Sequence, residues 1–94
     1  MNDFNSAQFK ELCIVHYALS PAEARALTGG MRRCACERDP VLRQMAVTHV
    51  QGMCSMLRAQ ERLTCQASED IVAMAKALAG DVPAAAASSG EDPA

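Results

Sequence analysis

The sequence predicts an all-α fold: a small bundle of three to four helices, dominated by one long C-terminal helix, straight or kinked, and expected to dimerise. Three observations carry this. After Pro40 no proline and only one glycine, Gly52, interrupt the chain until Gly80, and apolar residues recur there at helical spacing. Half of the residues are apolar but only 3% are aromatic, so the core has to be built from Leu, Met, Val, Ile and Ala. Beyond position 50 alanine is abundant and β-branched residues are scarce, which favours helix over sheet.

Taken in order, the first segment runs from Asp3 to Leu19. Asn5 or Ser6 supplies a cap, and Phe9, Leu12, Cys13 and His16 fall at helical spacing with Lys10 and Glu11 outward. The continuous apolar run from Leu12 to Leu19 also suits a buried strand, but no second strand candidate offers it a partner, so helix is expected. Ser20-Pro21-Ala22-Glu23 reads as a capping box with proline in the first turn. The helix it opens is expected to be short, carrying Ala22, Ala24, Ala26 and Leu27 and stopping at Gly29-Gly30. Such a helix has to dock on its neighbours to persist. Met31 to Arg38 then forms a link.

Asp39-Pro40 is a strong helix start, because Asp offers an acceptor to free amides and Pro at the first helical position forfeits no bond. At about 100° per residue, Leu42, Met45, Ala46, His49, Val50, Met53, Met56, Leu57 and Leu63 share an arc of roughly 140°. A seam of three- and four-residue steps continues through Ala46, Val50, Met53, Leu57, Gln60, Thr64, Ala67, Ile71, Met74 and Leu78, as in helices that pack lengthwise. Its middle is polar, and Ser68-Glu69-Asp70 looks like a fresh helix start. The stretch from 39 to 79 is therefore one helix of about 60 Å or two helices broken near residues 64–68. Gly80 ends it, which makes 1–79 one helical domain and 80–94 a disordered Ala/Ser/Pro/Gly-rich acidic tail.

The net charge of −2 over 94 residues is set by that tail, which holds Asp81, Glu91 and Asp92 and no base. The rest carries 9 Lys+Arg against 8 Asp+Glu, too even for the concentrated basic face of a nucleic-acid binder. The polar, acidic start lacks an export signal, and no apolar run reaches membrane-spanning length. Five cysteines without an export signal suit thiols in a reducing cytoplasm. The preference for Arg over Lys and the wealth of Ala suggest a bacterial source.

No catalytic motif emerges, since neither His16 nor His49 has a nucleophile or acid partner in a recognised pattern. Cys13 and His16, three apart on a helix, with Cys34 and Cys36 from the link, compose a four-ligand zinc set. Flanking Arg32, Arg33 and Arg38 suit a redox-responsive thiol instead. Cys13 as a small core hydrophobe, with Cys34 and Cys36 as ordinary thiols in a solvated charged loop, accounts for the same residues. The capping-box helix and its successor outline a helix-turn-helix, although the arginines do not line up along one recognition helix.

The Met45, Met53 and Met56 stripe favours adaptable protein binding, and the two preceding helices look insufficient to cover it. The expected function is thus non-enzymatic: a small regulatory protein, an adaptor or an antiactivator, that binds and occludes a protein partner such as a transcriptional regulator. Its interface, shared with a homodimer, is expected at Leu42, Met45, Ala46, His49, Val50, Met53, Met56 and Leu57, with Arg58 and Arg62 tuning orientation.

Overall fold

Capping chemistry sets where each helix begins. The computed structural model describes residues 4–80 and contains four helices, α1 (Ser6–Val15), α2 (Pro21–Cys36), α3 (Pro40–Ala59) and α4 (Cys65–Leu78). No strand occurs among the described residues. Asn5 Oδ1 accepts from the Gln8 amide at 3.0 Å to start α1. Ser20 Oγ accepts from the Glu23 amide at 3.1 Å while the Ser20 amide donates to Glu23 Oε1 at 2.8 Å, the reciprocal box expected from the sequence. Asp39 Oδ1 accepts from the Val41 and Leu42 amides at 2.8 and 3.3 Å, and Thr64 Oγ1 accepts from the Ala67 amide at 3.0 Å.

The ends of the helices differ from expectation in three places. α1 stops at Val15, short of Leu19, where the Tyr17 amide reaches back to the Leu12 carbonyl. The chain unwinds through Ala18 at φ 58°, and buried Leu19 returns its amide to the Cys13 carbonyl. α2 does not stop at Gly29-Gly30 but continues to Cys36, absorbing most of the segment expected to be a link. The 39–79 stretch is two helices, and the break lies at residues 60–64, ahead of the expected 64–68. There Glu61 turns into the left-handed region at φ 61°, and the Arg62 and Leu63 amides both reach back to the Leu57 carbonyl. Thr64, not Ser68, caps α4, and Ser68 is buried. The tail expected over 80–94 concerns residues 81–94, which lie outside the described residues.

The structure is organised around α2 rather than around the 39–79 stretch. α2 packs against α1, α3 and α4, and it buries Ala24, Leu27, Thr28, Gly30, Met31 and Cys34. Around it the core gathers Phe9 and Cys13 from α1, Ala46, Val47, Val50 and Cys54 from α3, and Ala67, Ile71 and Ala75 from α4, with Leu19 and Leu63 plugging the loops. At Gly30, α2 and α3 approach closely. A β-carbon built on it would lie 2.9 Å from Val50 Cγ2 and 3.0 Å from Met53 Cε. The glycine therefore serves packing inside a helix and does not end one. No helix among the described residues is long and apolar enough to cross a membrane.

Candidate docking surface

α3 has two apolar faces. One looks inward: Ala46 and Val50 are buried, and Met53 and Leu57 pack partly covered against the core. The other looks outward: Val41, Leu42, Met45 and Met56 are 67%, 48%, 60% and 58% exposed, and His49 lies exposed among them. The expected interface thus divides. Leu42, Met45, His49 and Met56 stand at the surface, whereas Ala46, Val50, Met53 and Leu57 belong to this chain's own packing. Arg43 and Arg58 are the charged residues of α3, and neither lies within the outward arc. An ordinary surface helix turns its charges outward. Here solvent meets methionine, leucine and valine instead.

Two shallow depressions adjoin this face. One is lined by Pro40, Val41, Gln44, Met45, Thr48 and His49. The other brings Arg33 and Glu37 beside Leu42, Met45 and His49. Met45 and His49 line both, and Gln44, Thr48, Arg33 and Glu37 stand beside the apolar groups, a mixture of the kind found in protein–protein contacts. Sequence reasoning missed Val41 and Gly52. The signal for both was present: α3 carries almost no charge over twenty residues, so its apolar positions extend beyond a single face.

Arg62 has a structural task. Its Nη2 and Nε meet Glu23 Oε1 and Oε2 at 2.6 and 3.0 Å, tying the loop after α3 to the start of α2. The Arg62 hydrogen bonds and the Ser20 amide bond pull the Glu23 carboxyl from its ordinary 4.5 to about 2. Arg58 is exposed and its Nη1 lies 3.8 Å from Cys65 Sγ. Neither arginine reaches the outward apolar stripe.

The cysteine set separates as well. Cys13, Cys34 and Cys54 are fully buried, while Cys36 and Cys65 are exposed. His16 is exposed at the end of α1, its ring edge-on to Tyr17 at 5.3 Å. Among the described residues no three His, Cys, Asp or Glu side chains come together to hold a metal, so Cys13, His16, Cys34 and Cys36 do not converge into the zinc set that the sequence offered as an alternative. Burial raises the Cys13 thiol to about 11, with the Cys54 thiol beside it adding to the shift, and burial likewise raises Cys54 to about 11 against a hydrogen bond from Ser68. Thiols held neutral in this way behave as small core hydrophobes. Arg25, Arg32 and Arg33 stand exposed on α2 and Arg38 follows it, whereas Arg43 and Arg58 of α3 lie off its outward apolar face.

No protein-family model, curated protein or solved structure matches this chain.

Proposed function

We propose that this chain is a non-enzymatic protein-interaction module that docks an apolar helix of a protein partner on the outward face of α3. The carrying observation is the uncharged arc of exposed Val41, Leu42, Met45 and Met56 on the longest helix of the fold. Side chains that the described residues leave uncovered are available to a second surface. The mechanism is helix-in-groove recognition, with Leu42, Met45 and Met56 as anchors and Gln44, Thr48 and His49 bordering them. Methionine suits this role because its flexible thioether adapts to different partners.

The magnitudes describe a reversible contact. Complete burial of one such side chain contributes about 1.5–3 kcal/mol, so the remaining exposure of these four supplies roughly 3–7 kcal/mol. The partner's own apolar residues add a similar amount, set against association costs of about 4–15 kcal/mol. A contact of this kind fits an adaptor, or an antiactivator that covers a regulator's own interface, better than it fits a permanent subunit.

The test places a photo-reactive residue at position 45 and, as a control, at exposed position 69 on α4. Adducts at 45 are expected to map to one apolar helical segment of a protein and to vanish when Met56→Asp is added. Equal, unlocalised labelling at both positions would refute the assignment.

A further inference from the structure

We infer that, in the absence of another partner, the outward face of α3 is covered by α3 of a second copy of this chain, running antiparallel. The inference rests on the docking reading above and names its occupant. Leu42, Met45, His49, Gly52, Met56 and Ala59 follow one another at alternating steps of three and four on the outward side of α3. This is the a/d spacing of a helix that pairs lengthwise. It is a second seam, separate from the Ala46, Val50, Met53 and Leu57 line that faces the core.

Its side chains are complementary to their own reversal. An antiparallel copy related by a two-fold axis between Val50 and Gln51 sets Leu42 against Ala59 of the second copy, Met45 against Met56, and His49 against Gly52. The symmetry repeats each layer in reverse order. Every layer then pairs a large group with a small one or two flexible methionines, as close packing of two helices requires. A parallel copy would stack Gly52 on Gly52 and Ala59 on Ala59, leaving voids, and would set His49 on His49.

Gly52 is the second support. It interrupts the middle of α3, where glycine is unfavourable to the helix, and a β-carbon there would meet nothing among the described residues within 4 Å. Inside the monomer it has no packing task, unlike Gly30. Opposite a second α3 it becomes the seat for His49 and lets the two backbones approach. Charge does not oppose the pairing, because Arg43 and Arg58 lie off the seam and Arg33 and Glu37 of α2, which adjoin Leu42, Met45 and His49, are of opposite sign.

Area sets the strength. The four large side chains expose on the order of 400 Å² per chain at their stated exposures, about 800 Å² for the pair, which is below the roughly 1,200 Å² where stable specific interfaces begin and in the range of weak, transient contacts. The dimer therefore forms and dissociates with concentration, and a protein partner competes with the second copy for the same face.

The experiment uses the full chain under reducing conditions, with sedimentation velocity across a range of concentrations. A monomer–dimer equilibrium is expected. Gly52→Ala is expected to raise the melting temperature of the monomer yet weaken the dimer by roughly tenfold, since the new methyl group intrudes on the His49 layer. For orientation, Met45→Cys and Met56→Cys are made separately with Cys36→Ser and Cys65→Ser, which remove the exposed native thiols. On mild oxidation the mixture of the two is expected to cross-link while neither does so alone. Self-cross-linking of Met45→Cys would show a parallel pair and overturn the proposal. So would a monomer at every concentration. In that last case, localised photo-adducts at position 45 would leave the docking reading standing, and their absence would remove both. A dimer unchanged by Met45→Asp would overturn this face as its seat.

Discussion

Adjacent glycines in one helix give opposite answers to the same substitution, and that contrast tests the packing of α2 on α3. At Gly29 an alanine methyl meets nothing within 4 Å, so Gly29→Ala gains only helix propensity. It is expected to stabilise by about 0.5–1 kcal/mol. At Gly30 the same methyl would sit 2.9 Å from Val50 Cγ2 and 3.0 Å from Met53 Cε. Met53 can swing its terminal methyl away at little cost. Val50 cannot, because it is β-branched, fully buried and fixed in a helix. The helices must separate or Val50 must leave its rotamer, at a cost of about 1–3 kcal/mol, of which propensity returns up to about 1 kcal/mol. Gly30→Ala is thus expected to destabilise by roughly 1 kcal/mol net, lowering the melting temperature by about 4–8 °C for a domain of this size. Gly29→Ala should raise it. Thermal unfolding followed by circular dichroism at a fixed, low protein concentration measures both. An increase for Gly30→Ala as large as that for Gly29→Ala would refute the close approach of α3 to α2.

Glu23→Gln keeps an acceptor for the capping box but removes the charge that Arg62 holds, so it is expected to lower the melting temperature at neutral pH. Because the folded carboxyl lies near 2 and the ordinary value is 4.5, the stability owed to Glu23 is complete above 4.5 and is lost as pH falls toward 2. The gap between wild type and variant should close across that window, and a gap constant in pH would argue against the ion pair. Thiol titration of the native protein should register the exposed Cys36 and Cys65 quickly, with buried Cys13, Cys34 and Cys54 reacting only on unfolding; fast reaction of more than two thiols in the native state would contradict the core. Met53→Asp places a charge against Gly30 and the core and is expected to destabilise by roughly 3 kcal/mol, whereas Met45→Asp on the outward face should stay within about 0.5 kcal/mol. Urea unfolding distinguishes the two, and equal losses would mean that α3 does not divide into two faces.

The sequence shows where helices begin far better than where they end. Asn5, Ser20 and Asp39 announce their roles through side-chain chemistry that needs no tertiary partner, and the structure uses all three. Ends depend on what the chain meets next. Gly29-Gly30 carries the local signal of a stop, but contact with Val50 and Met53 makes Gly30 useful inside the helix. Neither residue is near it in sequence. The same reasoning explains why α2 looked minor: its buried face sets only Leu27 and Met31 among the smaller Ala24, Thr28, Gly30 and Cys34. Small residues have little hydropathy to display, yet they allow three other helices to come close. The break after α3 was legible as a polar interruption at Gln60 and Thr64, but its position was not. It is set by Leu63, which reaches the core only when Glu61 adopts a left-handed turn.

The candidate surface was blurred for a different reason. The apolar arc from Met45 through Leu42 and Met53 to Val50 runs without a gap from the outside of α3 to its inside, so periodicity alone treats it as one face. Which part is covered depends on how much helix the chain can bring against it. α2 and α4 pack on the Val47, Val50 and Cys54 side, and α1 docks on α2 instead. Nothing within the described residues is left for the Val41, Met45 and Met56 side. A small fold with a single-layer core meets this limit at once, since each added apolar stripe needs another helix to bury it. In the proposed dimer a copy of α3 supplies that helix, an arrangement that Leu42, His49, Gly52 and Ala59 suit.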